Sequence, residues 1–203
     1  MSVVVAIKYD KGMLLGADRQ ITNDHLASGE TQKVYKSQYS NTAWGSVGCL
    51  RIIDLISCNV DDLMSYKDIL DKVELDKPYV VNVIVPKIFI KLKEYNQAYL
   101  ENNLLSIYNQ FLICDYDSIF KINTDGAVVE FDKYYAIGSG YELVLGNLES
   151  SYKEDIDLDT AVDLLIDSIR KSCKNELYIN SNIDIINITK NKTSLNRFNI
   201  NSK

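Results

Sequence analysis

The sequence predicts an α+β fold in which blocks of β-strands alternate with pairs of helices. The chain begins with the apolar, largely β-branched run SVVVAIKY. Two long amphipathic stretches begin at Leu50, and a second block of strand-like segments follows them. The chain then returns to helical patterns and closes with IDIINIT, which is strand-like again. Segregated blocks of this kind are typical of folds built from stacked sheet and helix layers.

A hairpin is predicted at the start of the chain. The run at 2–9 is nearly continuous in apolar residues, as expected for a strand covered on both faces. DKG at 10–12 has turn chemistry, and MLLGAD at 13–18 forms the return strand. Further along, NTAWGSVGC at 41–49 is strand-like and ends in two glycines, which predicts a strand that closes in a tight backbone turn.

Two neighbouring amphipathic helices are predicted in the middle of the chain. The first has apolar residues at helical spacing, namely Ile52, Leu55, Ile56, Val60 and Leu63. The second has the apolar series Val81, Ile84, Ile88, Leu92 and Tyr95. Pro78 suits the first turn of the second helix, whereas Pro86 predicts a kink or an interruption.

The second half of the chain predicts strands, two helices and a last strand. Asp125-Gly126 marks a hairpin turn. SGYELVLGNLES is helix-like, and DLDTAVDLLIDSIRKSCK predicts a strong amphipathic helix capped by Asp157 or Asp159. The last 14 residues are polar and lack periodicity. We therefore expect one domain over 1–189 and a polar C-terminal tail over 190–203.

Composition excludes several classes of protein. A chain of 203 residues with 46% hydrophobic residues is long enough for one sizeable core. The formal net charge of −6 argues against a nucleic-acid partner. No apolar run approaches the roughly 20 residues of a membrane span, and charges interrupt the first 22 residues, so no secretory signal is predicted. We expect a cytoplasmic protein without a membrane partner.

Metal and histidine-based chemistry have little support in the sequence. The single histidine, His25, lies in the polar segment TNDHLASG, and no G-x-S-x-G nucleophile elbow is present. One histidine and scattered cysteines do not provide metal-ligand spacing. We expect no metal and no cofactor.

An N-terminal nucleophile needs no histidine. If Met1 is removed, the amine and hydroxyl of Ser2 belong to one residue, so their proximity is built in. An α-amine has an unperturbed pKa of about 7.7–8.0, which suits a general base at neutral pH. If Met1 is retained, that nitrogen lies in a peptide bond and the site is inactive.

Four segments together resemble one family. SVVVAIKYDKGMLLGADRQIT, QKVYK, WGSVG and YYAIGSGYELVLGNLES follow the order and approximate spacing of the β-type proteasome family, including its bacterial HslV-type members. The resemblance runs from Ser2 to about Thr189, and GADR and AIGSGYE are its most specific segments. It implies a four-layer αββα sandwich of the N-terminal nucleophile hydrolase type and an enzyme that hydrolyses peptide bonds.

The resemblance also implies roles for individual residues. Ser2 occupies the place of the family's N-terminal threonine nucleophile. Asp18 falls on the acid and Lys33 on the catalytic lysine, whose charge would favour the neutral form of the amine. Gly45 falls on the glycine whose backbone N–H faces the oxyanion, without a Cβ to block the substrate carbonyl. Ser139 falls on the serine that bonds the terminal amine.

The resemblance also assigns substrate-binding positions, and it allows two alignments for the segment around Glu176. Glu176 corresponds to the family's supporting acid in one alignment, but Ile179 falls near a serine position, and an HslV-type alignment of LYIN fits equally well. Thr22 would pair its main chain with an extended peptide. The resemblance assigns the specificity pocket to Ile21, Thr31, Tyr35, Ala43 and Val47, which suggests a medium apolar or uncharged substrate side chain.

Assembly and two alternatives follow from the same resemblance. It implies a homo-oligomeric ring that encloses the sites, peptide or unfolded-protein substrates and an ATPase partner. One alternative is a non-catalytic, structural proteasome-like subunit, which tolerates a retained Met1. The other is a small-molecule amidase on the same fold. Taken singly, each motif also has an ordinary structural explanation, such as an Asp18–Lys33 ion pair or a Ser139 helix cap.

Overall fold

The computed structural model describes residues 2–23, 26–63, 75–173 and 182–199. Two five-stranded sheets stack face to face, and helices cover the outer face of each sheet. The predicted α+β class and the four-layer αββα architecture are confirmed.

The elements follow the predicted alternation of strands and helices. The first block comprises β1 (Val3–Tyr9), β2 (Gly12–Asp18), β3 (Gln20–Asn23), β4 (Leu26–Glu30), β5 (Val34–Lys36) and β6 (Ala43–Val47). Helices α1 (Leu50–Ser57) and α2 (Val60–Leu63) follow, and then α3, which runs through the consecutive segments Lys77–Tyr79, Val80–Ile84 and Val85–Glu94.

The second half repeats the alternation. Its strands are β7 (Ala98–Glu101), β8 (Leu104–Ile107), β9 (Gln110–Cys114), β10 (Ile119–Ile122), β11 (Val128–Phe131) and β12 (Tyr134–Gly138). They are followed by α4 (Tyr141–Ser151), α5 (Leu158–Cys173), β13 (Asn182–Thr189) and β14 (Lys192–Asn199).

The two sheets have different strand orders. The first sheet has the order β12-β1-β2-β13-β14, and the second has the order β11-β10-β9-β6-β5. Neighbouring strands in both sheets are antiparallel. Two small hairpins, β3–β4 and β7–β8, lie outside the main sheets. The start of β1, the end of β12 and the β3–β4 hairpin together surround Ser2 and Asp18.

Strand β1 shows how one sequence pattern fills two interior layers. Val3, Val5 and Ile7 pack with the helices α4 and α5, whereas Val4 and Ala6 pack between the two sheets. This alternation follows from the two-residue period of a strand. Apolar residues at every position are therefore required, which explains why the sequence lacks polar alternation here.

Gly16 sets the distance between the first sheet and helix α5. A Cβ atom at Gly16 would lie 2.5 Å from Cδ2 of Leu165, which is itself buried. The bare backbone lets Leu165 pack directly onto the middle of β2.

Helix α3 differs from the predicted pattern. Val81 and Tyr95 are substantially exposed, so those two predicted core positions are wrong. The buried positions of this helix are Val80, Ile84, Ile88 and Leu92. The predicted interruption at Pro86 takes the form of a π-helical turn, in which the N–H of Val85 donates to the carbonyl of Val80. The wider turn just before Pro86 accommodates a residue that has no N–H to donate.

The C-terminal segment also differs from the expectation. Instead of a polar tail from residue 190, Lys192–Asn199 pairs along its length with β13 as the edge strand of the first sheet. Much of β14 is exposed, so it needs few apolar residues and leaves little hydrophobic pattern in the sequence. The first sheet therefore extends beyond the expected domain boundary at residue 189.

Other local predictions are confirmed. The 10–11 turn joins β1 and β2, and Gly126 occupies the turn between β10 and β11 with a φ of +83°. Asp157 caps α5, because its Oδ1 accepts a 2.8 Å hydrogen bond from the N–H of Thr160. Among the helices of the described residues, none is long and apolar enough to cross a membrane.

Candidate functional site

A cavity of about 470 Å³ opens where β1 begins and where β6 and β12 end. Both layers of the sandwich and the β3–β4 hairpin contribute to its wall. Its lining residues are Ser2, Gln20, Ile21, Thr31, Lys33, Val47, Gly48, Leu50, Ile53, Tyr108, Gln110, Thr124, Gly138 and Ser139. The cavity therefore brings together Ser2, Lys33 and Ser139, three of the residues proposed from the sequence.

Ser2 is held by the end of β12. Its backbone nitrogen donates a 3.2 Å hydrogen bond to Oγ of Ser139, and the N–H of Ser139 donates to the carbonyl of Ser2 at 3.0 Å. The hydroxyl of Ser139 is thus directed at Ser2, and α4 begins without a side-chain cap. Gly138 has a φ of +105°, and a Cβ there would lie 2.0 Å from the Ser2 carbonyl oxygen. A glycine is therefore needed for β12 to approach Ser2 so closely.

Asp18 and Lys33 form a buried ion pair beside Ser2. Nζ of Lys33 lies 2.6 Å from Oδ2 of Asp18 and also donates to the carbonyl of Gln20 at 2.7 Å. Asp18 accepts two further hydrogen bonds, from the N–H of Val3 at 2.8 Å and the N–H of Gln20 at 3.0 Å. Since β1 starts at Val3, the same carboxylate orients the lysine and fixes the residue that follows Ser2.

Arg19 continues this network away from the cavity. Its guanidinium bonds the buried carboxylate of Asp184 on β13 and lies 3.1 Å from Glu30 at the end of β4. Arg197 on β14 donates to the other oxygen of Asp184 at 2.9 Å. These charge-assisted bonds connect the residue after Asp18 to the far edge of the first sheet.

Gly45 lies outside the lining of the cavity, and its missing side chain matters for the packing of the two sheets. It lies within β6, paired with Val34 on one side and Leu112 on the other. A Cβ at Gly45 would lie 2.4 Å from Cγ1 of Val4 in the opposite sheet. The bare position therefore lets the two sheets approach each other closely.

The proposed specificity residues divide into two groups. Ile21, Thr31 and Val47 line the cavity, whereas Ala43 is buried between the sheets. Tyr35 packs against the cluster under α1 and α3, and its hydroxyl donates to the carbonyl of Gln32. Burial raises the pKa of Tyr35 to about 12. Tyr35 and Ala43 therefore support the cavity from outside its lining.

Three residues singled out from the sequence lie wholly or partly outside the described residues. The structure gives no position for Glu176 or His25. Thr22 is described through its backbone, which pairs with Ala27 in the β3–β4 hairpin.

Several lining residues were not predicted from the sequence. Leu50 and Ile53 come from the first turns of α1, and Tyr108, Gln110 and Thr124 come from the region around β8–β10. Their types are ordinary for a strand end or a helix, so neither composition nor periodicity distinguishes them.

Comparisons with known proteins agree with this architecture. The family model described as "Proteasome subunit" matches residues 62–188. The chain is 27% identical over 165 residues to proteasome subunit beta 2 of Thermofilum pendens, covering 79% of this chain and 74% of that protein. It is 29% identical over 175 residues to proteasome subunit beta 1 of Thermococcus onnurineus, covering 80% and 76%.

Similarity extends to subunits of the other named type. The chain is 25% identical over 167 residues to proteasome subunit alpha of Methanobrevibacter smithii, covering 79% of this chain and 62% of that protein. The family match spans well over half of the chain, from the end of α2 into β13. Together with the αββα sandwich, it shows that the chain belongs to the proteasome subunit family.

Proposed function

We propose that this chain is a peptidase subunit whose nucleophile is Ser2, once the peptide bond between Met1 and Ser2 has been cleaved. The observation that carries the proposal is the shared cavity of Ser2, Lys33 and Ser139, with Asp18 bound to Lys33. A nucleophile, a cation, an acid that orients the cation and a hydroxyl at the amine are the parts that such a site needs.

The first step is attack on the substrate carbonyl. The free α-amine of Ser2 accepts the hydroxyl proton as Oγ forms a bond to the carbonyl carbon. Lys33 disfavours the protonated amine through its positive charge, and Asp18 keeps that charge in place. Ser139, whose Oγ lies 3.2 Å from the Ser2 nitrogen, orients the amine.

The second step is collapse of the tetrahedral intermediate. Its negative oxygen needs preorganised backbone N–H donors. We assign these to the segment Gly45–Gly48, of which Val47 and Gly48 line the cavity itself. The C–N bond breaks, the protonated amine gives its proton to the leaving nitrogen, and an ester to Ser2 remains. Water, activated by the same amine, then hydrolyses that ester.

The substrate follows from the lining. Among the described lining residues, Lys33 is the charged one, and it is already bound to Asp18. Ile21, Val47 and Ile53 supply apolar surface, which favours a medium apolar or uncharged side chain next to the scissile bond. Preferential cleavage of peptides with an acidic residue at that position would contradict this assignment.

The family also supports a proposal on assembly. Because the chain is similar to proteins named as beta and alpha proteasome subunits, we expect it to form a homo-oligomeric ring in the cytoplasm. Such a ring would enclose the sites, and an ATPase partner would deliver unfolded protein. Size-exclusion chromatography with light scattering tests the ring, because a monomer would contradict it and would favour a small-molecule amidase.

The test of the proposal combines intact mass with activity. The chain is expected to begin at Ser2 with a free amine and to cleave uncharged fluorogenic peptides. Ser2→Ala abolishes this cleavage, whereas the control Ser150→Ala, at an exposed serine of α4, leaves it unchanged. A chain that retains Met1 and cleaves no peptide would contradict the peptidase.

A second candidate is a structural subunit without activity. The observation in its favour is similarity to a subunit named alpha as well as to subunits named beta. It predicts an assembled ring in which Ser2→Ala and Lys33→Met change nothing but stability. Ser2-dependent cleavage by the purified protein would exclude this candidate.

A further inference from the structure

Asn109 is a buried polar residue outside the ion-pair network. It lies between β8 and β9, is 0% exposed, and follows Tyr108 of the cavity lining. Its amide makes three hydrogen bonds. Oδ1 accepts from the N–H of Cys49 at 2.8 Å, and Nδ2 donates to Oγ of Ser46 at 3.0 Å and to the carbonyl of Cys49 at 3.3 Å. A buried amide with three good partners is a strong local constraint.

These hydrogen bonds hold the residues on both sides of a short part of the cavity wall. Ser46 and Cys49 lie on either side of Val47 and Gly48, which line the cavity with Ser2. One side chain therefore holds both ends of this two-residue wall. Ser46 is also tied to the ion-pair side, because its N–H donates to the carbonyl of Lys33 at 3.0 Å.

Gly48 shows how closely Asn109 approaches this backbone. Gly48 has a φ of +126°, and a Cβ there would lie 2.4 Å from the carbonyl oxygen of Tyr108 and 2.8 Å from Oδ1 of Asn109. The turn thus has a backbone conformation reserved for glycine and no room for a side chain. Its shape is complementary to the Tyr108–Asn109 segment.

Helix α1 lacks a conventional cap at this point. Its N-cap residue, Cys49, makes no side-chain hydrogen bond to the first turn. The amide of Asn109 binds the backbone of that same residue on both its N–H and its carbonyl. Asn109 therefore fixes the start of α1 from outside the helix. The lining residues Leu50 and Ile53 lie in this first part of α1 and are held in place with it.

We propose that Asn109 is a positioning residue that fixes the Val47–Gly48 backbone opposite Ser2. Its kinetic consequence rests on the proposed function, since that backbone belongs to the segment assigned to the oxyanion. Its structural consequence does not, because the backbone is held whether or not the chain is active. The two consequences are measured separately.

The structural test is amide hydrogen exchange on the full chain. Asn109→Leu keeps the approximate volume and removes all three hydrogen bonds, and Ser46→Ala removes one of them. We expect the Cys49 amide to exchange about ten-fold faster in Asn109→Leu, with the core strand β1 unchanged. Exchange at Cys49 that matches the wild type in both variants would overturn the proposal. Equal acceleration in β1 would indicate general destabilisation and would overturn it too.

The kinetic test uses a matched asparagine. Asn147 on α4 also makes three bonds through its amide, to Asp167, Ser168 and Lys171, but in the outer helix layer. We expect Asn109→Leu to lower kcat by about ten- to a hundred-fold with KM within about three-fold. Asn147→Leu should leave both constants unchanged.

The outcomes separate this proposal from the proposed function. Ser2-dependent activity that survives Asn109→Leu at the wild-type kcat would overturn the positioning role and leave the peptidase intact. A wild-type chain without Ser2-dependent activity would overturn the peptidase, and the exchange measurement would still decide whether Asn109 holds the wall. If Asn109→Leu fails to fold, Ser46→Ala carries both tests, with a smaller loss expected.

Discussion

Nζ of Lys33 lies 2.6 Å from Oδ2 of Asp18, and both side chains are almost fully buried. Oδ1 of the same carboxylate accepts the N–H of Val3, the residue that follows Ser2. The cation and the start of β1 are therefore held by one carboxylate. This relationship supports both the fold and the proposed chemistry, and the two contributions can be separated by experiment.

Removal of one partner of this pair should be strongly destabilising. Lys33→Met leaves a buried carboxylate without its cation, and we expect a loss of about 3–5 kcal/mol in the free energy of unfolding. Asp18→Asn/Lys33→Met should lose less than the sum of the two single variants, because it leaves no isolated charge. Urea unfolding measures all three.

The control for that cycle is an exposed pair. Lys8 and Asp117 lie 2.6 Å apart at the surface, so Lys8→Met should cost at most about 1 kcal/mol. Additive losses in the Asp18–Lys33 cycle would contradict a direct interaction between the two buried charges.

Gly138→Ala should damage the site more than the fold. The new methyl group would lie 2.0 Å from the Ser2 carbonyl oxygen, at a φ of +105°. We expect a loss of about 1–3 kcal/mol in stability and of about a hundred-fold in kcat/KM, because Ser2 must shift.

Gly146→Ala provides the comparison for this variant. Gly146 lies within α4, and a Cβ there meets no atom within 4 Å. This change should stabilise the chain by about 0.5–1 kcal/mol and leave activity unchanged. Equal activity of the two variants would show that the approach of β12 to Ser2 is unimportant.

Tyr35 should contribute to alkaline unfolding. Burial raises the pKa of Tyr35 from 10.0 to about 12 in the folded chain. Its contribution to stability is complete below pH 10 and is lost as the pH rises through about 12, since the unfolded chain releases the proton first.

Measurement of unfolding free energy between pH 8 and pH 12 tests this prediction. Tyr35→Phe should flatten the alkaline decline, whereas Tyr39→Phe, at a largely exposed tyrosine, should not. An unchanged decline in Tyr35→Phe would assign the alkaline sensitivity to other groups.

Asp184 should be essential to the edge of the first sheet. Its carboxylate is fully buried between Arg19 and Arg197. Asp184→Ala leaves both arginines without this partner, and we expect a loss of about 3–5 kcal/mol. Hydrogen exchange should locate the loss to β14 and the β3–β4 hairpin. A stability loss below about 1 kcal/mol would show that the network is dispensable.

The parts of the fold that were predictable are those with strong periodicity or turn chemistry. β1, the hairpin turns, α5 and its Asp157 cap all follow from local patterns. β14 did not, because an exposed edge strand needs no apolar stripe. The π-helical turn of α3 was foreseeable as an interruption at Pro86, but its form depends on how Val80 and Ile84 pack.

The site was predictable where family motifs fix the residue. Ser2, Lys33 and Ser139 meet at one cavity, and Asp18 binds Lys33. Asn109 and Tyr108 were not predictable, since both depend on a connection between strands that leaves no sequence pattern. The packing role of Gly45 was not predictable either, because it depends on the approach of Val4 from the opposite sheet.

The most direct test of the central claim is to trap the acyl-ester intermediate. The full chain would be treated with a peptide carrying an electrophilic β-lactone, and the adduct would be located by tandem mass spectrometry. We predict one adduct, on the Ser2 hydroxyl of a chain that begins with Ser2, and none in Ser2→Ala. An adduct on another residue, or no adduct on a chain that still carries Met1, would contradict the account.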